Sequence, residues 1–140
     1  MSFQEKSAWL MLVALLLCSL LYSFQITSMT SSLGELPRPT IPAVVNYTII
    51  LVLVAIVGHI AIAISAPKEA NASIDERESQ IFDRAGNLAS HVYATGAVLS
   101  LALYLTLYDG NVFFYAVLGS LVAGQLSAYA SRIYFYRVGP

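Results

Sequence analysis

His59 and His91 are the only histidines in the chain, and each lies within a long apolar run. Ionisable groups placed inside a membrane face the interior of a helix assembly and are candidates for function by default. His59 stands about seven residues before the end of the second apolar run. His91 stands about five residues after the start of the third. At 1.5 Å per residue both lie about 8–10 Å from the same membrane edge, so they are able to face one another. Three chemistries compete for them. The neutral rings can satisfy hydrogen bonds with neighbouring helices. They can ligate a b-type haem or a metal, imidazole being a good axial ligand. They can also form part of a proton or substrate path. No Cys or carboxylate stands nearby to complete a metal site.

A second polar set leads towards His91. The stretch "SIDERESQIFDRAGNLASHVYATG", from Ser73 to Gly96, begins charged and ends apolar. Placed at 100° per residue, Arg77, Gln80, Arg84, Asn87, His91 and Thr95 form one polar stripe. Ile74, Ile81, Ala85, Leu88 and Val92 form an apolar stripe beside it. Asp75, Glu76 and Asp83 lie on a third face, and Glu78 falls on the apolar one. No opposite charges meet at i,i+4 within the stretch. Arg132 and Arg137 are the candidate partners for the acids, and lipid phosphates for the arginines. His59, His91, Arg84, Asn87 and Thr95 are thus the candidate ligand or polar-path residues, with the stripe expected to point inward. No nucleophile–base set, glycine-rich phosphate loop, zinc motif or nucleic-acid signature occurs.

The elements that position these residues follow from composition. The 140 residues are 58% hydrophobic and 11% charged, whereas soluble domains carry about a quarter charged residues. A helical span needs about 20 mostly apolar residues. Four segments qualify, at 7–27, 44–66, 86–107 and 112–134, in a single integral membrane domain. The first is expected to be retained rather than cleaved, because its run is long and no small-x-small site follows it. Cys18, the only cysteine, rules out an intrachain disulfide. Leu17 before it does not suit lipidation, so it reads as a packing or lipid-facing residue.

Six of the seven lysines and arginines fall on one side of this layout, namely Lys6, Lys68, Arg77, Arg84, Arg132 and Arg137. Only Arg38 falls on the other. Positive residues stay inside, so both termini and the 67–85 loop are expected to be cytoplasmic. The first outer loop, "QITSMTSSLGELPRPTIPA", is expected to be non-helical because of Pro37, Pro39 and Pro42. The second, "YDGN", reads as a tight turn around Asp109 and Gly110. Trp9, Tyr134, Phe135 and Tyr136 suit the inner interface. Tyr22, Phe24, Tyr47, Tyr108 and Phe113 to Tyr115 suit the outer one. The triplets at Asn46 and Asn71 read as chance matches to glycosylation sites.

Ser73 followed by Glu76 is a capping box with acids in the first turn. It predicts one helix from Ile74 to Leu107, about 50 Å long, whose first turns stand out into the cytoplasm. In the fourth span, Ala116, Ser120, Gly124 and Ala128 recur every four residues and form a small-residue packing ladder. Gly119 and Ala123 form an adjacent row. Gln125 between them predicts an interhelical hydrogen bond.

"DERESQIFDRA", Asp75 to Ala85, resembles the Asp-Glu-Arg-acid-x-x-Ile-x-x-basic-small pattern of small bacterial four-span membrane proteins of unknown function. The resemblance implies the bacterial inner membrane and brings no activity. The four-span plan is also similar to that of the glutathione-handling membrane enzymes, and "DRAGN" resembles their Arg-Ala-x-x-Asn element. Here, however, the element opens the third span rather than the second, and His91 stands where an acid is wanted.

The expectation is therefore an all-α membrane protein. Its four transmembrane helices form an antiparallel bundle, with the third extended into the cytoplasm. Four short helices enclose little volume, so the expected role is a non-enzymatic assembly partner or accessory subunit. Its partners would be the lipid bilayer and either further copies of itself or a larger membrane protein, with no nucleic acid. The alternatives are a small haem- or metal-binding protein using His59 and His91, and a small transporter or channel subunit.

Overall fold

The computed structural model describes residues 1–67 and 74–139. Among these residues the architecture is four long helices, α1 (Phe3–Leu33), α2 (Ile41–Ser65), α3 (Glu76–Leu107) and α4 (Gly110–Val138). All four are long and apolar enough to cross a membrane. Their 25 to 32 residues correspond to about 38–48 Å, more than the about 30 Å of a bilayer's hydrocarbon core.

The helices outrun the predicted spans for local reasons. α1 begins with a capping exchange in which Ser2 Oγ accepts from the Glu5 amide at 3.2 Å. It then continues to Leu33, through residues expected to be loop. There Thr27 and Thr30 hydroxyls donate to carbonyls one turn back, each at 2.8 Å, and so lose nothing by being helical. Gly34, at φ 74°, takes the left-handed cap position that stops the helix. α2 starts earlier than expected because Pro42 sits in its first turn, where no amide donor is needed.

α3 begins two residues later than the predicted Ile74. Its cap is Asp75, whose Oδ1 accepts from the Glu78 amide at 2.7 Å. The expected cap, Ser73, lies outside the described residues. The α3–α4 turn also differs from the sequence expectation. Tyr108, not Gly110, occupies the left-handed position, at φ 53°. Gly110 is already helical, and Asp109 Oδ1 caps α4 by accepting from the amides of Asn111 and Val112. An aspartate at this point satisfies two of the orphan donors of the new helix.

The helices neighbour one another in the order α2, α1, α4, α3, and α3 with α4 share the most extensive contact. Ser7 and Ser19 of α1 bond to His59 and Tyr47 of α2. Glu5 of α1 meets Arg137 of α4, while Tyr22 of α1 lies with Tyr115 around one cleft at the opposite end. The buried residues are mostly small: Ala8, Ala14, Cys18, Ala85, Ala89 and Ala128. Lipid is as apolar as leucine, so close approach by small residues, not burial of bulk, holds such helices together. α2 buries no residue, as befits a uniformly apolar helix presented to lipid.

Candidate functional site

The two histidines have different surroundings. His59 Nδ1 lies 2.7 Å from the Ala55 carbonyl oxygen, and Nε2 lies 2.7 Å from Ser7 Oγ. A carbonyl oxygen only accepts, so Nδ1 carries the proton. In the neutral ring Nε2 then accepts from the Ser7 hydroxyl. Both nitrogens are satisfied, and the ring tethers α2 to α1. A metal at Nε2 would have to displace Ser7. His91 Nδ1 likewise donates to its own helix, to the Asn87 carbonyl oxygen at 2.7 Å, but its side chain is exposed.

The structure does not bring His59 and His91 onto a common contact. His59 faces α1, and α2 and α3 share no substantial interface among the described residues. Nor do the described residues hold any group of three or more His, Cys, Asp or Glu that could bind a metal.

The polar stripe of α3 turns away from the other helices. Arg77, Gln80, Arg84, Asn87, His91 and Thr95 are all exposed, which reverses the inward direction expected from their pattern. The buried face of α3 is Ile81, Ala85, Ala89 and Ser100. The reason is steric fit with α4. A Cβ at Gly96 would strike Ser120, and a Cβ at Gly124 would strike the Tyr93 ring. The ladder of Ala116, Ser120, Gly124 and Ala128 therefore has α3 of the same chain against it, at least at Ser120 and Gly124. The adjacent row does not share this role, since Gly119 and Ala123 are exposed.

A polar network extends along the α4 side of this contact. Tyr93 Oη donates to Gln125 Oε1 at 2.6 Å, and Gln125 Nε2 donates to Tyr129 Oη at 3.1 Å. Next along α4, the Arg132 guanidinium lies over the Phe82 ring at 4.7 Å and the Tyr129 ring at 5.5 Å. Tyr136 Oη donates to Glu78 Oε1 at 3.3 Å, joining the start of α3 to the end of α4. The last contact is Arg137 Nε to Glu5 Oε1 at 3.1 Å. Glu5 is buried to 7% exposure.

No family model, curated protein or solved structure matches this chain.

The pairing expected for the acids of the middle stretch is corrected at two points. Arg137 pairs with Glu5, not with them, and Arg132 stacks on aromatic rings. Among the described residues of that group, Glu78 is the one that meets another helix, accepting from the Tyr136 phenol. Glu5 went unremarked in the sequence because one acid near a chain start resembles a solvated helix end. Its position three residues after Ser2, the capping-box spacing, is the signal that marks it.

At the other end, Tyr22, Tyr47, Tyr115 and Ser19 line a cleft of about 260 Å³ between α1, α2 and α4. The Tyr115 hydroxyl donates to the Pro37 carbonyl at 3.1 Å, anchoring the α1–α2 link. Among the described residues, a hydroxyl meets an imidazole nitrogen at Ser7 and His59; this cleft and the α3–α4 network hold tyrosine, serine and glutamine side chains that join helices by hydrogen bonds.

Proposed function

We propose that this chain is a non-enzymatic, multi-pass membrane protein that acts as an assembly partner or accessory subunit. Its four helices would form an antiparallel bundle. Both termini and the 67–85 loop would be cytoplasmic, by the six-to-one bias of lysine and arginine. The start of α3 would project from the membrane as the docking element. The resemblance of Asp75 to Ala85 to small bacterial membrane proteins supports a bacterial inner membrane.

One observation carries the reading. α3 presents Asn87, His91 and Thr95 on an exposed face, within the part of the helix long enough to lie in the membrane. Polar side chains in hydrocarbon are costly and normally meet another protein surface. A chain whose own helices leave that face uncovered is built to be covered by something else.

Native mass measured after extraction in mild detergent tests this. The expected result is a particle larger than one chain, either multiples of 15.2 kDa or a complex with a different polypeptide. A monomer in both detergent and nanodiscs would falsify it.

A further inference from the structure

We infer that the outward face of α3 is a two-fold contact with a second copy of this chain, formed by the pairing of two parallel α3 helices. The inference rests on the assembly reading above and names its partner.

Arg77, Arg84, His91, Val98 and Leu105 are spaced by sevens, and all are exposed. The positions three residues further on, Gln80, Asn87, Ala94 and Leu101, are exposed as well. Together they make an uninterrupted a/d seam of four heptads. The seam adjoins the buried Ile81, Ala85, Ala89 and Ser100 face at its Arg77–Arg84 end, where Ile81 flanks it, and diverges from that face towards Leu101 and Leu105. Val98 and Leu105 are each 65% exposed, so the seam continues as an apolar strip beyond its polar half.

Charge selects the occupant. Two copies in one membrane have the same orientation, so a two-fold axis along the membrane normal pairs α3 with α3 in parallel. In a parallel pair each a residue packs beside the facing helix's g residue, the one just before its a position. Here the residues before Arg77 and Arg84 are Glu76 and Asp83. Arg77 thus meets the facing Glu76, and Arg84 the facing Asp83, twice each by symmetry. None of these four side chains has an ion pair within the chain among the described residues. The face carries equal numbers of both signs, arranged so that it complements itself. Deeper in, Asn87 would meet its own copy at a d position, an amide pair that fixes register. Ala94 is small enough to let the backbones approach there.

Cysteine cross-linking in native membranes tests the seam. Cys18 is buried, so the unaltered chain serves as the blank. Ala94→Cys is expected to give a disulfide-linked dimer in high yield. Leu99→Cys, exposed and at a b position off the seam, should give several-fold less. In the Ala94→Cys chain, Arg84→Asp should lower the dimer yield several-fold. Adding Asp83→Arg should restore it, because the exchanged charges again face each other in a homodimer and in no complex with another protein. Equal yields at 94 and 99 would mean random collision and overturn the proposal. So would failure of the charge exchange to restore pairing. A cross-link from 94 to a different polypeptide overturns the second-copy contact while leaving the assembly reading intact. No cross-link at 94 together with a monomeric native mass removes both.

Discussion

Gly124 of α4 lies directly against the ring of Tyr93 of α3, with no room for a Cβ between them. The same relation recurs one turn towards the start of α4, where Gly96 of α3 lies against Ser120. These two approaches set the α3–α4 distance. Gly124→Leu is expected to destabilise the folded protein by about 1–3 kcal/mol, the usual cost of overpacking. Gly119→Ala, on the same helix with nothing within 4 Å of its Cβ, should be near neutral. Denaturation in mixed detergent micelles, followed by Trp9 fluorescence, distinguishes the two.

The Tyr93–Gln125 hydrogen bond joins the same helices at depth. Double-mutant cycles within membranes give about 0.6 kcal/mol for such bonds, and up to about 1.7. Tyr93→Phe and Gln125→Leu are expected to show a coupling energy in that range. A coupling indistinguishable from zero would mean that the bond adds nothing to the packing around it.

Glu5 and Arg137 tie the first turn of α1 to the last turn of α4. Arg137 is 62% exposed, so solvent screens the pair and its worth is at most about 1 kcal/mol. Glu5→Gln should therefore lower stability modestly, and the loss should shrink in high salt. Proteolysis of the α4 end should become faster in the same variant, because α4 loses its last attachment to α1.

His59 makes two hydrogen bonds, to Ser7 on α1 and to the Ala55 carbonyl of its own helix. Ser7→Ala and His59→Ala should each weaken the α1–α2 contact, and their effects should not add, since each removes the same bond. The purified protein is expected to show no Soret band, because Nε2 is already occupied by Ser7 and His91 lies on another face. A haem spectrum lost on His59→Ala would contradict this account of the ring.

The helix cap at Asp75 offers a test at the edge of the described chain. Asp75→Ala should cost about 1 kcal/mol, the usual value for a lost N-cap. Amide exchange should speed up in the first turns of α3 and leave those around Tyr93 unchanged.

The number of helices, their approximate places and the small-residue ladder of α4 were legible in the sequence. The physical reason is that bilayer thickness imposes a length, and close packing in lipid requires small side chains at helical spacing. Such signals are local. The ends were less legible, because hydroxyl residues such as Thr27 and Thr30 satisfy themselves within a helix and so do not mark its end. What only the tertiary structure decided was direction. The periodicity of α3 separates a polar stripe from an apolar one, but it cannot say which faces a neighbour. That choice belongs to the fit of Gly96 and Tyr93 against Ser120 and Gly124, which turns Arg84, Asn87 and His91 outward. Likewise, equal depth made a meeting of His59 and His91 conceivable. The order α2, α1, α4, α3 sets them against different surroundings, because neighbourhood among helices depends on pairwise shape and not on position along the chain.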